Sequence, residues 1–255
     1  LVDIDEPVAT YWPEFGQNGK GEVTIKDILS HRSGSMSLYE TTPDVSVLQD
    51  PEVRDNFLAS QKFLYPRGTV GYRAWASAFY SDAICRRVDP KQRSLSKFIR
   101  DEVLTSSDQK FFCPPVTKNL EQDFSEVHDI PLPTMLLGVL PQLFAPAFYR
   151  KILGKDHRII LDPSEINLYQ KMILKNDPEY AATKPSIPSV DQGAASYNNR
   201  SSFLSYEMMS GNCISNARTL GSVFDAFMNA QIVSKEMLSK IMEPFPPAFD
   251  IFLQR

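Results

Sequence analysis

Apolar residues recur in this chain mainly at intervals of three and four positions, the spacing of one face of an α-helix. The clearest pattern begins at Thr24, which can cap a helix and which precedes Asp27 by three residues, as in a capping box. We therefore predict a helix that begins after Thr24 and ends before Ser33-Gly34. Its apolar stripe consists of Ile25, Ile28 and Leu29.

The same spacing predicts helices over residues 72–87, from Ser94, from Asp162-Pro163, from Asn216, and from Ser234 to a stop at Pro244. The alternating pattern of half-buried strands is scarce, so we predict a helix-dominated chain. The apolar stripes of the predicted helices are, in chain order, Trp75, Phe79, Tyr80, Ala83, Ile84 and Val88; Leu95, Phe98, Ile99 and Val103; Ile166, Tyr169 and Ile173; Leu220, Val223, Phe224 and Phe227; and Met237, Leu238 and Ile241.

One segment is apolar without being periodic. Residues 130–149 carry no charge over 20 positions, a length that would suit a membrane-spanning helix. The segment contains four prolines, however, and each removes a backbone donor and kinks a helix. We therefore expect an irregular, buried cover over the helical domain. Shallow membrane contact through residues 130–151, which end on the basic pair Arg150-Lys151, is the alternative. The prolines are Pro131, Pro133, Pro141 and Pro146.

Composition narrows the choice of function. The 255 residues are 42% hydrophobic with a net charge of −4, which is an ordinary globular mixture without the basic block of a nucleic-acid-binding protein. The three histidines are scattered, and no cysteine pair has metal-ligand or disulfide-framework spacing. We expect no metal, no cofactor and no nucleic-acid partner, and the cysteine usage favours a reducing intracellular compartment. The cysteines are Cys85, Cys113 and Cys213.

Five segments carry a family resemblance, and two of them concern the candidate site. Residues 24–34 read Thr-Ile-Lys-Asp-Ile-Leu-Ser-His-Arg-Ser-Gly, which resembles the segment T-I-x-D-L-L-S-H-T-S-G of β-lactamase-related serine hydrolases. That family includes class C β-lactamases, D-alanyl-D-alanine carboxypeptidases, certain esterases and the animal serine β-lactamase-like proteins. Residues 66–69 read Pro-Arg-Gly-Thr and are followed by Tyr72, which is similar to the family segment P-G-T-x-x-x-Y-S-N.

Residues 1–13, 94–103 and 211–218 resemble further segments of the family, in the family's order. The resemblance covers about residues 1–105 and 205–243. It implies an α+β β-lactamase/transpeptidase-like fold, of which this chain would hold most of the helical part and lack most of the sheet. On this reading, residues 1–112 form the first part of the core, residues 113–180 an insertion that matches no family motif, and residues 181–255 the later helices, with the core incomplete at both ends.

The resemblance also implies a chemistry. The family's nucleophile is the serine of Ser-x-x-Lys, which forms an acyl-enzyme, while a tyrosine beside the lysine takes the serine proton and a Lys/His-Thr-Gly strand aligns the substrate. Tyr72 matches that tyrosine and is the one catalytic residue carried over. We expect its ring at the mouth of the site, with the hydroxyl near polar surface, while Ala74 replaces the motif's asparagine. The other two motifs would lie before Leu1 and beyond Arg255, so we expect the chain to be a catalytically incomplete piece of a larger protein.

Several residues imitate site motifs. Ser94 and Lys97 fit Ser-x-x-Lys, but the following charged turn makes Ser94 a predicted helix cap. Ser107 and Lys110 fit the same spacing shortly before Pro114-Pro115, which ends any helix. Residues 197–199 read Tyr-Asn-Asn without the Pro-Gly-Thr lead-in. His31 belongs to a structural loop in the matching family segment, so we predict a packing role for it.

These observations favour a serine hydrolase that transfers acyl groups from small-molecule, peptide or ester substrates through a Ser-Lys-Tyr site. A non-catalytic β-lactamase-like scaffold and a membrane-apposed protein are the alternatives. The sequence indicates no oligomeric state.

Overall fold

Short helices dominate the part of the chain that the computed structural model describes, which comprises residues 2–35, 45–63, 65–72, 76–104, 109–115 and 203–250. Its strands β1 (Phe111–Phe112) and β2 (Ile214–Ser215) form an antiparallel pair in which Phe112 lies opposite Ile214. Two 3₁₀ segments span Pro13–Gly16 and Phe203–Ser205. The helices are α1 (Val8–Tyr11), α2 (Ile25–Leu29), α3 (Val45–Gln49), α4 (Pro51–Ser60), α5 (Ala76–Val88), α6 (Leu95–Glu102), α7 (Ala217–Met228) and α8 (Lys235–Met242).

Helix α2 begins with the predicted capping box. The Thr24 hydroxyl accepts the Asp27 N–H at 3.1 Å, and the Asp27 carboxylate accepts the Thr24 N–H at 2.9 Å. Ile25 and Ile28 are buried as predicted. Leu29 is 54% exposed, which contradicts its predicted place on the stripe. The reason is geometric, since Leu29 is rotated by about 100° from Ile28 around a helix that ends there.

Helix α5 lies in the centre of the apolar core. The predicted stripe residues Phe79, Tyr80, Ala83 and Ile84 are all buried. The Tyr80 ring packs edge-on against Phe15, with centroids 5.7 Å apart. This arrangement is one that aromatic quadrupoles favour, and it joins α5 to the N-terminal 3₁₀ segment.

A buried carboxylate links three helices. Asp82 of α5 accepts hydrogen bonds from Arg54 of α4 at 2.6 Å and from Arg86 at 2.8 Å. Its other oxygen accepts the Leu95 N–H at 2.7 Å, at the first residue of α6. Arg54 and Asp82 are only 1% and 3% exposed at their side chains, so each charge depends on the other for its stability inside the protein.

A second buried charge holds the end of α4. Lys20 donates from Nζ to the carbonyl oxygens of Gln17 at 3.0 Å and Ala59 at 2.8 Å, and also to that of Gln61. Burial lowers the pKa of Lys20 to about 8. The ammonium group therefore satisfies three carbonyls where the N-terminal loop meets the end of α4, carbonyls that would be costly to leave without donors.

Helices α7 and α8 begin where the sequence predicts, but their apolar stripes are not buried as expected. Asn216 caps α7 by accepting the Thr219 N–H at 2.9 Å, and Ser234 caps α8 by accepting the Met237 N–H at 3.0 Å. Leu220 and Phe224 of α7 are nevertheless 52% and 64% exposed. The three-and-four spacing correctly indicates one apolar face, but the face does not pack into the core around α5.

Several predictions concern residues outside the described ranges. They include Trp75 of the second stripe, the helix from Asp162-Pro163 and the uncharged segment 130–149. In the described part of the chain, no helix has the length and apolar character needed to cross a membrane.

The buried Arg54–Asp82 pair makes a prediction about stability. Replacing Arg54 by Met should lower the free energy of unfolding by about 3–5 kcal/mol, because the buried carboxylates of Asp55 and Asp82 lose a cation. Urea unfolding followed by circular dichroism measures the change. Lys97→Met is the matched control, since Lys97 pairs with Asp101 on the surface and its loss should cost less than about 1 kcal/mol. Equal costs for the two variants would show that the buried pair does not hold the helices together.

Candidate functional site

The segment that carries Tyr72 is fastened to the loop after α2. The segment, residues 65–72, runs alongside residues 31–34 and donates three backbone hydrogen bonds to it. The bonds are Tyr65 N–H to the Gly34 carbonyl (3.1 Å), Gly68 N–H to the Arg32 carbonyl (2.7 Å) and Gly71 N–H to the His31 carbonyl (3.0 Å). The two segments that carry the strongest family resemblance are therefore neighbours in space.

Gly34 makes this close approach feasible. Its φ of 84° lies in the left-handed region, and a Cβ added there would lie 2.1 Å from the Tyr65 carbonyl oxygen and 2.8 Å from that of Pro66. Both obstacles are backbone atoms, which cannot swing aside as a side chain can. Gly68 has a similar φ of 93° but nothing within 4 Å of its added Cβ. Position 34 thus requires glycine for space as well as for conformation.

A salt bridge adds to this attachment. Arg67, in the middle of the segment, pairs through Nε with the carboxylate of Asp27. Asp27 is also the residue whose carboxylate completes the capping box of α2. The helix start and the tyrosine-bearing segment consequently share one carboxylate.

Tyr72 lies at the surface, four positions before Ala76, where the described α5 begins. Tyr72 is 41% exposed, so its ring is not enclosed by apolar side chains. An enclosed ring would have contradicted the match between Tyr72 and the catalytic tyrosine of the family. Its backbone N–H donates to the Asp250 carboxylate at 3.0 Å. The position is compatible with a group that meets a substrate, while the catalytic role of Tyr72 stays a prediction.

His31 lies beside Tyr72, with the two ring centroids 5.1 Å apart. It follows α2 in the left-handed conformation, at φ 60°. Sequence reasoning gives His31 a packing role, and its ring does pack, but against the predicted site residue. The sequence analysis did not predict that His31 or Asp250 contacts Tyr72, because no spacing in the sequence indicates either contact.

The chain after α8 crosses this region. The Arg32 guanidinium donates to the Pro246 carbonyl at 3.1 Å and lies 4.5 Å from the centroid of the Phe245 ring. The Nζ atom of Lys26 lies 5.2 Å from the centroid of the same ring. These contacts fasten the chain after α8 to α2 and to the loop that follows α2, while Asp250 of the same segment contacts Tyr72.

Ser94 is a helix cap, as predicted, rather than a nucleophile next to a lysine. Its hydroxyl accepts the Lys97 N–H at 3.3 Å, at the start of α6. The Lys97 ammonium pairs with Asp101 at 3.3 Å. Of the other imitations, Ser107 and residues 197–199 lie outside the described ranges. Within those ranges, no group of three or more His, Cys, Asp or Glu side chains could hold a metal ion.

Comparison with known proteins decides the family. The model of the Beta-lactamase family matches residues 1–246, which is nearly the whole chain. The chain belongs to the beta-lactamase family. Over 95 residues this beta-lactamase family member is 33% identical to the esterase/beta-lactamase LipL of Mycobacterium tuberculosis. The match covers 37% of this chain and 22% of LipL.

Solved structures of other proteins confirm the fold of this family member. A penicillin-binding protein homologue from Caulobacter crescentus superposes with a TM-score of 0.66 at 18% identity, over 100% of this chain and 58% of the homologue. A family VIII carboxylesterase superposes with a TM-score of 0.65 at 18% identity, over 99% of this chain and 57% of the esterase. The predicted β-lactamase/transpeptidase-like fold is thus confirmed, and the chain spans rather more than half the length of these two structures.

The glycine contacts of this beta-lactamase family member give a second prediction. Gly34→Ala should lower the free energy of unfolding by at least about 3 kcal/mol, because the new methyl group must push the Tyr65 carbonyl away. It should also speed hydrogen exchange at the Tyr65 and Gly71 amides. Gly68→Ala is the control, and it should cost only about 1–2 kcal/mol, for its left-handed φ alone. Equal effects of the two variants would show that the close approach at Gly34 does not hold the segment.

Proposed function

We propose that this chain forms the tyrosine side of an acyl-transfer site, in a serine hydrolase that acts on amide or ester bonds. Membership of the beta-lactamase family supports the class of reaction. One observation supports the choice of Tyr72 as the residue: it is exposed, and it ends a segment that is hydrogen-bonded to the loop after α2. The sequence of that segment resembles the family's tyrosine motif. Small amides, peptides and esters are the proposed substrates.

Tyr72 acts as the proton carrier in this proposal. A neutral phenol is a poor base at neutral pH, so the lysine ammonium of the Ser-x-x-Lys motif must lie next to it and favour the phenolate. The phenolate takes the proton of the serine hydroxyl while the serine oxygen attacks the substrate carbonyl. Tyr72 then returns that proton to the leaving amine or alcohol, and water later hydrolyses the acyl-enzyme.

His31 and Asp250 serve as positioning residues for Tyr72. The Asp250 carboxylate holds the backbone of Tyr72 through its N–H, and the His31 ring limits where the phenol can turn. A base must be held in register with its proton to be effective, so these two contacts supply orientation rather than a further proton.

Esters are the better substrates within this proposal. Ala74 stands where the tyrosine motif of the family has asparagine, and alanine lacks the amide that can hold a lactam substrate or the lysine. Two of the similar proteins bear names that fit this choice, an esterase/beta-lactamase and a family VIII carboxylesterase.

The 255-residue chain itself should be inactive, because the nucleophile is the serine of Ser-x-x-Lys at the start of a helix and neither serine that fits this spacing suits the role. Ser94 is occupied as a helix cap, and Ser107 comes shortly before Pro114-Pro115, which ends any helix. Purified chain should hydrolyse neither a chromogenic lactam nor a p-nitrophenyl ester faster than buffer. Turnover that disappears in the Ser94→Ala variant would overturn both this expectation and the capping role.

Activity should depend on Tyr72 once the chain is joined to the family's Ser-x-x-Lys and Lys/His-Thr-Gly motifs. In that protein, Tyr72→Phe should lower kcat/KM for a p-nitrophenyl ester by about 10²–10⁴-fold, since the proton carrier is lost. Tyr65→Phe is the matched control and should leave kcat/KM unchanged, because the hydrogen bond that Tyr65 makes to the loop after α2 uses its backbone N–H.

Labelling of the serine by a fluorophosphonate separates an enzyme from a scaffold. The joined protein should be labelled, and Tyr72→Phe should slow the labelling. A protein that folds but is neither labelled nor active would favour the non-catalytic scaffold, whereas full activity in Tyr72→Phe would remove Tyr72 from the mechanism.

A further inference from the structure

Two cysteines that are 100 positions apart in the chain meet beside the small sheet. The Sγ atoms of Cys113 and Cys213 lie 3.0 Å apart. A disulfide bond is about 2.05 Å long, so bond formation requires the sulfurs to approach by only about 1 Å. All three cysteines of the chain are free thiols in the structure.

The sheet register makes this meeting a property of the backbone. Phe111 lies opposite Ser215 and Phe112 opposite Ile214, where the ladder ends. Continuing this register by one residue places Cys113 opposite Cys213. Residues directly opposite each other on antiparallel strands have Cα atoms about 4.5–5.5 Å apart. That separation falls inside the range of about 4.4–6.8 Å that disulfides use.

Hydrogen bonds fix both sides of the pair. On the Cys213 side, the Asn212 side chain accepts the Met208 N–H at 2.9 Å and donates to the Tyr206 carbonyl at 2.8 Å. On the Cys113 side, the Lys110 N–H donates to the Thr219 hydroxyl at 2.7 Å. The two cysteines are therefore held in place before any bond forms between them.

The two thiols differ in access. Cys213 is half-buried, and its sulfur also lies 3.2 Å from the Met209 sulfur. Cys113 is buried, and its pKa is held well above the usual range, first by the neighbouring Cys213 thiol, then by burial and by the Glu207 carboxylate. A thiolate is the attacking species in exchange, so the more accessible Cys213 is the thiol that reacts first with an outside reagent.

Cys85 provides an internal contrast. It is buried in α5, where burial, followed by the Asp82 and Asp89 carboxylates, raises its pKa to about 11. Burial and a raised pKa slow both Cys85 and Cys113. Cys113 differs because it has the Cys213 sulfur at 3.0 Å, whereas no cysteine sulfur contacts Cys85 in the described part of the chain. Cys85 should therefore stay reduced under conditions that oxidise the other two.

We propose that Cys113 and Cys213 form a thiol–disulfide exchange site that small-molecule disulfides of the oxidised glutathione class convert to an intramolecular disulfide. This inference is independent of the proposed hydrolase activity. The proposed disulfide is a reversible covalent bond between two cysteines whose spacing in the sequence does not predict a pair.

The exchange takes two steps. The Cys213 thiol loses its proton to water, and the thiolate attacks one sulfur of oxidised glutathione, breaking its S–S bond and releasing one glutathione thiolate. The Cys113 thiol then gives its proton to water, and its thiolate attacks the Cys213 sulfur, which breaks the Cys213–glutathione S–S bond, forms the Cys113–Cys213 bond and releases the second glutathione thiolate. Each released glutathione thiolate takes one proton from water. The two electrons that the protein thiols lose are gained by glutathione, which is reduced to two thiols.

Mass spectrometry of the full chain in glutathione buffers tests the proposal directly. After oxidation, alkylation and digestion without a reductant, the peptides that contain Cys113 and Cys213 should be linked, while Cys85 should be alkylated. The link should raise the Tm by roughly 5–15 °C, because it closes a long loop in the unfolded chain. The equilibrium constant for exchange should fall at least about tenfold in urea, because the fold no longer holds the sulfurs together.

Variants separate a held pair from adventitious oxidation. Cys85→Ser should leave the link and its Tm shift unchanged, whereas Cys213→Ser should abolish both. Should a variant at the buried Cys113 fail to fold, peptide mapping of the unaltered chain still decides the question. Three results would each overturn the proposal. Both thiols could remain reduced, glutathione could accumulate on Cys213 without forming the intramolecular disulfide, or the link could form equally strongly in urea.

Discussion

The carboxylate of Asp82 is the point at which the helical core closes. It takes hydrogen bonds from Arg54 in α4, from Arg86 one turn along its own helix, and from the first N–H of α6. Losing any of these partners would leave the buried charge of Asp82 under-compensated and would destabilise the fold, so α4, α5 and α6 must meet at this carboxylate. The direction of α5 is set by this joint, and Tyr72 lies only four positions before Ala76, where the described α5 begins. The joint therefore fixes where α5 meets α4 and α6, and the candidate tyrosine lies close to α5 in the sequence.

Features that depend on neighbouring residues could be predicted from the sequence. The capping box of α2 and the Ser94 cap of α6 each involve contacts within one helical turn. The three-and-four spacing of apolar residues in α5 is also a local pattern, although the burial of these residues rests on contacts such as the one between Tyr80 and Phe15. Helix α4 was not predicted, although the sequence carries its start signals, since Asp50 caps it and Pro51 occupies its first position. The exposed stripe of α7 could not be anticipated, because periodicity reports that a helix has an apolar face and not whether another element packs against that face.

The same difference between local patterns and tertiary contacts applies to the candidate site. Tyr72 could be found because its motif is contiguous, whereas the carboxylate that holds its N–H is 178 positions away. The His31 ring, the salt bridge between Arg67 and Asp27 and the approach of Cys113 to Cys213 likewise arise from tertiary structure. No local propensity encodes such meetings, which follow only when the chain has closed around its core. Contacts of this kind also give the site its rigidity, because each fastens one segment to another.

The close approach at Gly34 has a consequence for the exchange of segments between relatives. A loop and a turn whose backbones leave no room for one methyl group cannot be altered independently, because any change in the path of one displaces the other. A chimaera with a crossover between residues 34 and 65 would combine a loop from one parent with a turn from another. Recombination in this family should therefore conserve residues 24–72 as one inherited block, with productive crossovers on either side of it.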